Sequence, residues 1–314
     1  MFVLMAPRPQ QLIEERATGT TVLGIKASKL KLLPIPLPPL PEQEMIVAKL
    51  EDVLDLIERL EKAHADESAQ RALTAKVALK RLVDDGDRLV FDHFHEMIHT
   101  ANDVAELERS ILRLAVSGKL APQEWGDGTG HDLLNDVLRL RNAQGSRATL
   151  TAPATIERIP RSWARCTLGD VLELNYGKSL GKELRRDDGK FVAFGANGPI
   201  ARTDSSLVAQ DGIVIGRKGS AGAVNLVRGP FWPTDVTYFV PDGQFGAFDL
   251  KYLEYLLTSL NLPALSGGIK PGLNRKEAYK LPVGLPPLKE QVRIAAKVTE
   301  LFSKLGELRA ALAT

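Results

Sequence analysis

The chain holds a single cysteine, Cys166, among 314 residues, so no internal disulfide can form. That usage suits a reducing, cytoplasmic compartment. Long apolar runs are also missing. Met1 to Ala6 is apolar, but Pro7 and Arg8 end the run well short of a signal-peptide core or a membrane span, and no membrane association is expected. The Asn-Pro-Pro-aromatic motif of DNA methyltransferases is absent, as is any helicase or nuclease constellation. Gly216-Arg217-Lys218-Gly219-Ser220-Ala221-Gly222 superficially looks like a phosphate loop. The Walker order needs Gly-Lys followed by Ser or Thr, whereas Lys218 here precedes Gly219, which argues against nucleotide hydrolysis. No catalytic residues are assigned, and no cofactor or metal is expected on this chain.

What is present is ordinary for a globular protein: 44% hydrophobic and 25% charged residues, in a length that suits about two domains. The net charge of +2 hides an asymmetry. Residues 41–114 hold 10 basic and 17 acidic residues, while residues 157–284 hold 17 basic and 13 acidic. An acidic rod joined to a mildly basic domain fits a spacer carrying a polyanion-binding module.

The strongest signal is an internal repeat. Residues 33–60 read LPIPLPPLPEQEMIVAKLEDVLDLIERL, and residues 281–308 read LPVGLPPLKEQVRIAAKVTELFSKLGEL. In each copy prolines exclude a helix from the upstream side, and Glu42 or Glu290 then falls in the first helical turn, against the positive end of the dipole. Ile46, Leu50, Val53, Ile57 and Leu60 are spaced 4-3-4-3, as are Ile294, Val298, Leu301, Leu305 and Leu308. Two such narrow seams predict that the two helices pair with each other. The bland alternative is that each stripe docks on its own neighbouring domain.

Along the chain, one helix is expected over 41–82, a turn at Asp84-Asp85-Gly86-Asp87, and a second helix from about Leu89 to Val116. A short helix near Asp132–Arg141 precedes a Ser/Thr/Ala/Pro linker. From Ile156 to Gly284 the texture becomes β-like, with strands expected at Phe191–Phe194, Ile213–Ile215, Ala223–Val227 and Val236–Val240, and a helix at Asp249–Ser259. The fold class is α+β: one mixed α/β domain plus long helices.

The segment LPPLxEQ, followed by a heptad helix, resembles the passage from recognition domain to conserved helix in specificity subunits of type I restriction–modification systems. Arg109–Leu120 (RSILRLAVSGKL) is similar to the stretch that precedes a recognition domain in that family. The resemblance implies that the mixed α/β domain is a target recognition domain, that the long conserved helices form an antiparallel coiled-coil spacer, and that the chain has five parts. Residues 1–40 are the remnant of a first target recognition domain whose body is missing, and 41–120 are the central helical region. Residues 121–155 are a short helix and linker, 156–284 the second recognition domain, and 285–314 the C-terminal helix. It further implies a non-catalytic subunit that reads one half of a split target in double-stranded DNA. Its partners would be modification (methyltransferase) and restriction subunits, which would carry S-adenosylmethionine, ATP and Mg. A self-associating half-subunit is the alternative within that family.

Base reading favours Arg or Lys to guanine, Asn or Gln to adenine, and Ser or Thr to either. The DNA-binding candidates are Lys178, Ser179, Lys182, Arg185, Arg186, Asn197, Arg202, Thr203, Arg217, Lys218, Ser220 and Asn225. The Lys178–Lys190 stretch is the densest basic loop. The glycine-rich 216–222 run resembles a turn common in these recognition domains, where backbone amides could approach a phosphate. Asn197 sits in a turn by composition, and Trp232 is read as core. One rival remains, a zinc hydrolase on His95-Glu96-Met97-Ile98-His99, which matches HExxH. No HxxGxxH extension supplies its third ligand, so His95 and His99 are read as ordinary histidines.

Overall fold

Prolines set where both long helices begin. The computed structural model describes residues 2–17, 24–85, 98, 100–146, 159–267 and 272–312. It divides into two compact units, Met1–Leu73 and Thr74–Thr314. The first unit holds short helical turns at Phe2–Met5 and Ala27–Leu30, helix α1 (Pro7–Arg16) and most of helix α2 (Leu40–Asp85). Helix α2 starts directly after Pro38-Pro39 and runs 46 residues, about 69 Å at ~1.5 Å per residue. Its stripe Ile46, Leu50, Val53, Ile57 and Leu60 is exposed along its length.

The second unit takes in the end of α2 and then helix α3 (Ala101–Val116). Of the helix expected from about Leu89 to Val116, the described part is Ala101–Val116, with its own start at Thr100. Thr100 has an extended backbone, its hydroxyl accepts from the Asp103 amide, and the Asp103 carboxylate accepts from the Thr100 amide. That capping box satisfies two orphan donors and fixes the helix start. Residues 86–97 and His99, and with them the Asp84–Asp87 turn beyond Asp85 and the HExxH histidines, lie outside the described residues. Helix α4 (Gly130–Ala143) follows, capped by Thr129.

The mixed region begins with strand β1 (Ala164–Thr167), helix α5 (Leu168–Val171) and strand β2 (Asn175–Tyr176). Strands β3 (Phe191–Gly195), β4 (Gly198–Thr203), β5 (Gly212–Gly216), β6 (Val224–Val227), β7 (Phe231–Pro233) and β8 (Thr237–Pro241) come next. Helix α6 (Leu250–Ser259), β9 (Ser266–Gly267), β10 (Gly272–Leu273), helix α7 (Arg275–Tyr279), β11 (Pro282–Leu285) and helix α8 (Leu288–Leu312) complete it. One sheet has the order β2-β8-β5-β6 and a second the order β4-β3-β7. Strand β5 is buried at every position because it is covered on both faces. Ile213 and Ile215 join the core that contains Leu253, Leu256 and Leu257 of α6, while Val214 joins Phe194, Val208, Val227 and Phe231 in a second cluster. This is the period-two logic of a central strand. The first and last strands pair antiparallel, Ala164 opposite Leu285, so the two ends of the region leave together.

The α8 stripe has a different environment from that of α2. Ile294, Val298, Leu301 and Leu305 are buried, and half-buried Leu308 packs on the same core, with α3 and α6 as the neighbouring helices. The expected pairing of the two stripes is therefore corrected for α8. Its seam is covered within its own unit, because α3 brings an apolar face of Leu107, Ile111 and Leu114 to the same place.

The Glu-Gln pair of the repeat is the joint. The Gln291 carboxamide donates to Ala247 O (3.0 Å) and Pro286 O (2.9 Å) and accepts from the Asp249 amide (2.8 Å). Asp249 in turn caps α6 through the Tyr252 amide. Among the described residues Gln43 repeats only the local bond, donating to Pro38 O at 2.7 Å. Glu290 is buried too, and accepts from Gln123 Nε2 at 3.0 Å. Burial pushes its carboxyl above the ordinary glutamate range, and the Gln123 hydrogen bond pulls it partly back.

Gln291→Ala leaves several buried groups unpaired at about 1–3 kcal/mol each, whereas Gln43→Ala forfeits one bond worth about 0.5–1.5 kcal/mol. Chemical denaturation of the two variants should show that asymmetry; equal losses would contradict it. Because the native Glu290 value is raised, its contribution is present below the unfolded value and is lost as pH rises through the native one. Glu290→Gln should flatten that part of the stability–pH profile and match or exceed wild type near neutral pH. A variant with the wild-type profile would contradict the burial argument.

Candidate nucleic-acid interface

The basic loop is built by fixing both its ends to sheet backbone. After β2, the Lys178 amide donates to Pro233 O (2.9 Å), and Trp232 Nε1 donates to Lys178 O (2.8 Å). Trp232 is thus half-buried and works as a clasp, not as core. A 3-10 turn over Lys182–Leu184 then lifts the chain, and the Arg186 amide donates to Arg202 O (2.9 Å), seating the loop beside β4. Arg202 closes the far end, donating from Nε to Gly189 O (2.6 Å) and from Nη2 to Lys190 O (3.2 Å).

These bonds bring Arg185, Arg186 and Arg202 together along an open groove of about 560 Å³, floored by Val192 and by Pro199–Ala201 of β4 and edged by Asp187. Arg186 Nη1 is held by the carbonyls of Glu183 and Arg185, and Arg185 Nη2 lies 3.5 Å from Leu180 O. Among the described residues none of the three arginines forms an ion pair with a carboxylate. Several arginines elsewhere are matched to carboxylates. Arg228 pairs with Asp211 at 2.7 Å, Arg309 with Glu108 at 3.0 Å, and Arg293 with both Asp127 and Glu124. The Arg228 guanidinium holds the Asp211 carboxyl below the usual carboxylate range, with help from the Gly229 amide. Lys178, Ser179 and Lys182 are exposed.

A second group of candidates gathers at the glycine-rich turn. A Cβ at Gly216 would overlap the carbonyls of Ser220 and Ala196, so the β5 end lies against both its own turn and the β3–β4 turn. That places Ser220 near the exposed Asn197 turn. Asn225 of β6 completes the group, its Oδ1 3.8 Å from where a Cβ on Gly198 would sit. Asn225 Nδ2 is buried with no hydrogen-bond partner among the described residues. Arg217 donates twice to Asp235 O, and Lys218 is exposed.

Two expectations need correcting. Thr203 is buried, with its hydroxyl accepting from the Ser205 amide, so it presents nothing to a ligand. The turn is also a poor phosphate nest. The amides of Gly216, Ala221, Gly222 and Ala223 donate to the turn's own carbonyls, and those of Arg217 and Lys218 to Val236 O. A strand, not a helix, follows the turn, so no helix dipole adds to it. Two residues absent from the sequence-based set join this group: Tyr176 of β2 and Arg275 of α7, whose guanidinium lies 4.8 Å from the Tyr176 ring centroid. Composition around Arg275 gave no signal, because α7 reads as an ordinary short polar helix. Among the described residues no three His, Cys, Asp or Glu side chains converge as metal ligands.

The profile of the family described as "Type I restriction modification DNA specificity domain" matches residues 4–67 and 160–312. The specificity subunit of the type I restriction enzyme EcoAI from Escherichia coli is 24% identical over 322 residues, covering 88% of this chain and 54% of that protein. The EcoEI specificity subunit, also from Escherichia coli, is 26% identical over 157 residues, covering 44% of this chain and 26% of its own length. The chain therefore spans about half the length of the first relative. The S subunit of a type I restriction–modification system from M. genitalium, a crystal structure, aligns with a TM-score of 0.45 at 18% identity, covering 99% of this chain and 67% of that one.

Proposed function

The chain belongs to the family of type I restriction–modification DNA specificity domains, and from that premise we propose that it is a non-catalytic DNA-reading subunit whose basic region reads one half of a bipartite duplex target. The observation that carries the proposal is the groove of Arg185, Arg186 and Arg202. Its three cations are held by backbone carbonyls and stand without carboxylate partners among the described residues. Guanidiniums fixed in this way keep their charge and much of their donor fork available for phosphate oxygens or guanine edges. In this reading Asn197 and Ser220 serve adenine or mixed readout, Asn225 would need its buried amide uncovered to join them, and Lys178, Ser179, Lys182 and Lys218 are flanking contacts.

Methylation and cleavage belong to partners in this reading. Modification subunits would bring S-adenosylmethionine, and restriction subunits would bring ATP and Mg. Helices α2, α3 and α8 are the surfaces proposed to recruit them. A paired or bundled helix resists length change in a way that a flexible linker does not, which suits a spacer between two half-sites. No helix among the described residues is long and apolar enough to cross a membrane, and a cytoplasmic location is part of the proposal. A second reading, in which two copies associate and each supplies one reading head, is favoured by the exposed aliphatic stripe of α2.

Replacing both Arg185 and Arg186 with Gln is expected to weaken binding to duplex DNA and to reduce the slope of log K against log salt by about one for each phosphate no longer neutralised. Affinity and slope unchanged across a salt titration would remove the groove from the interface. For the second reading, light scattering of the purified chain should give a dimer mass that Leu50→Glu with Ile57→Glu returns to a monomer. A wild-type monomer at every concentration would exclude self-association.

A further inference from the structure

The loop that carries Arg275 is tied to the glycine-rich turn by backbone. The Leu273 amide donates to Arg217 O (2.9 Å), and Gly272 bridges Lys218. This brings two guanidiniums from distant sequence over one ring. Arg217 Cζ lies 5.5 Å and Arg275 Cζ 4.8 Å from the centroid of Tyr176, which is 51% exposed at the edge of its sheet. The ring is braced from the other strand by Tyr238, its register partner, with centroids 5.1 Å apart. Each arginine is pinned to a carbonyl, Arg217 to Asp235 O and Arg275 to Leu174 O (3.2 Å), and neither has an ion pair among the described residues. Exposed Lys218 stands beside them.

One arginine over one tyrosine is common packing. Two on the same ring, with a lysine adjacent and no ion pair to either guanidinium among the described residues, concentrate like charge that an ordinary solvated surface would spread. The Glu277 carboxylate, two residues from Arg275, is held by Lys280. The Tyr238 phenol supplies no charge, because burial and the Tyr176 hydroxyl push it up to about 12.

We propose that Tyr176, Arg217 and Arg275 form a phosphate clamp for the duplex DNA backbone, separate from the Arg185–Arg186–Arg202 groove and indifferent to base sequence. The ring holds both guanidiniums in place before binding, so little side-chain freedom is lost when a phosphodiester oxygen replaces water. The clamp would set register and orientation on the duplex, leaving base discrimination to other side chains. The inference rests on the DNA-reading proposal above.

The test is binding of the full-length chain to several duplexes of unrelated sequence across a salt series. Arg217→Gln and Arg275→Gln should each weaken binding to every duplex by the same factor and make the slope of log K against log salt shallower by about one. Arg217→Lys and Arg275→Lys keep the charge and should retain the wild-type slope, which separates removal of a phosphate contact from unfolding. Arg139→Gln removes the same formal charge from an exposed pair with Asp136 and should leave the slope unchanged. Wild-type slopes in both Gln variants, or a loss confined to one sequence, would overturn the clamp while leaving DNA reading intact. A wild-type chain that binds no duplex at any salt concentration would overturn the DNA reading itself, and the clamp with it.

Discussion

The Gln291 carboxamide is the constraint on which the second unit turns. Its oxygen accepts from the amide that opens α6, and its nitrogen donates to the carbonyl before that helix and to the proline before its own. A buried amide with three partners in two segments resists movement of either one, because breaking a bond leaves a buried group unpaired. Glu290 adds a tie to Gln123 in the loop after α3. Arg293 reaches the same loop through Asp127 and Pro122 O, holding the Asp127 carboxyl below its usual range. The start of α8 is thus fastened to both the helical and the sheet parts of the unit. With β1 paired to β11, the direction of the helix relative to the basic region is set by bonds at its root.

That rigidity gives the surface charges their meaning. Loops beside the two sheets hold arginines against carbonyls, which fixes direction without neutralising charge. Arginines at the α8 root and the far sheet edge are matched to carboxylates. The same side chain therefore does two jobs in one unit. Matched pairs brace, and carbonyl-held cations keep a field available to an anion. A modest regional excess of basic residues becomes significant because its members are not cancelled locally.

Much of the architecture was legible in the sequence, and the losses have physical causes. The strands expected at Phe191–Phe194, Ile213–Ile215, Ala223–Val227 and Val236–Val240 correspond to β3, β5, β6 and β8, and Asp249 caps α6. Strands β1, β2, β7 and β11 are too short, or too rich in proline, to show a period. The helix start at Thr100 was readable as a Thr-x-x-Asp cap but was hidden by an apolar pattern that continues upstream. Arg185 and Arg186 announce themselves as neighbours. Arg202 joins them only through strand pairing, and Arg275 reaches Tyr176 across 99 positions through a backbone bond that no local pattern encodes.

The repeat shows where such reading stops. Gln43 and Gln291 make the same bond to the proline carbonyl five residues back, so identical local sequence gives identical local geometry. Beyond that bond the copies part. Gln291 has Ala247 and Asp249 to hold, and Leu285 beside it is fully buried, while Leu37 at the equivalent position is 83% exposed. The stripes part in the same way: that of α8 lies under α3 and α6, and that of α2 is open. A heptad stripe encodes an apolar face and says nothing of what covers it, because burial is a property of neighbours. The second copy is thus a completed joint, and the first has the same hardware with its outer bonding positions open. The open positions on α2 are accordingly where association with another helix would add the most buried apolar surface per residue ordered.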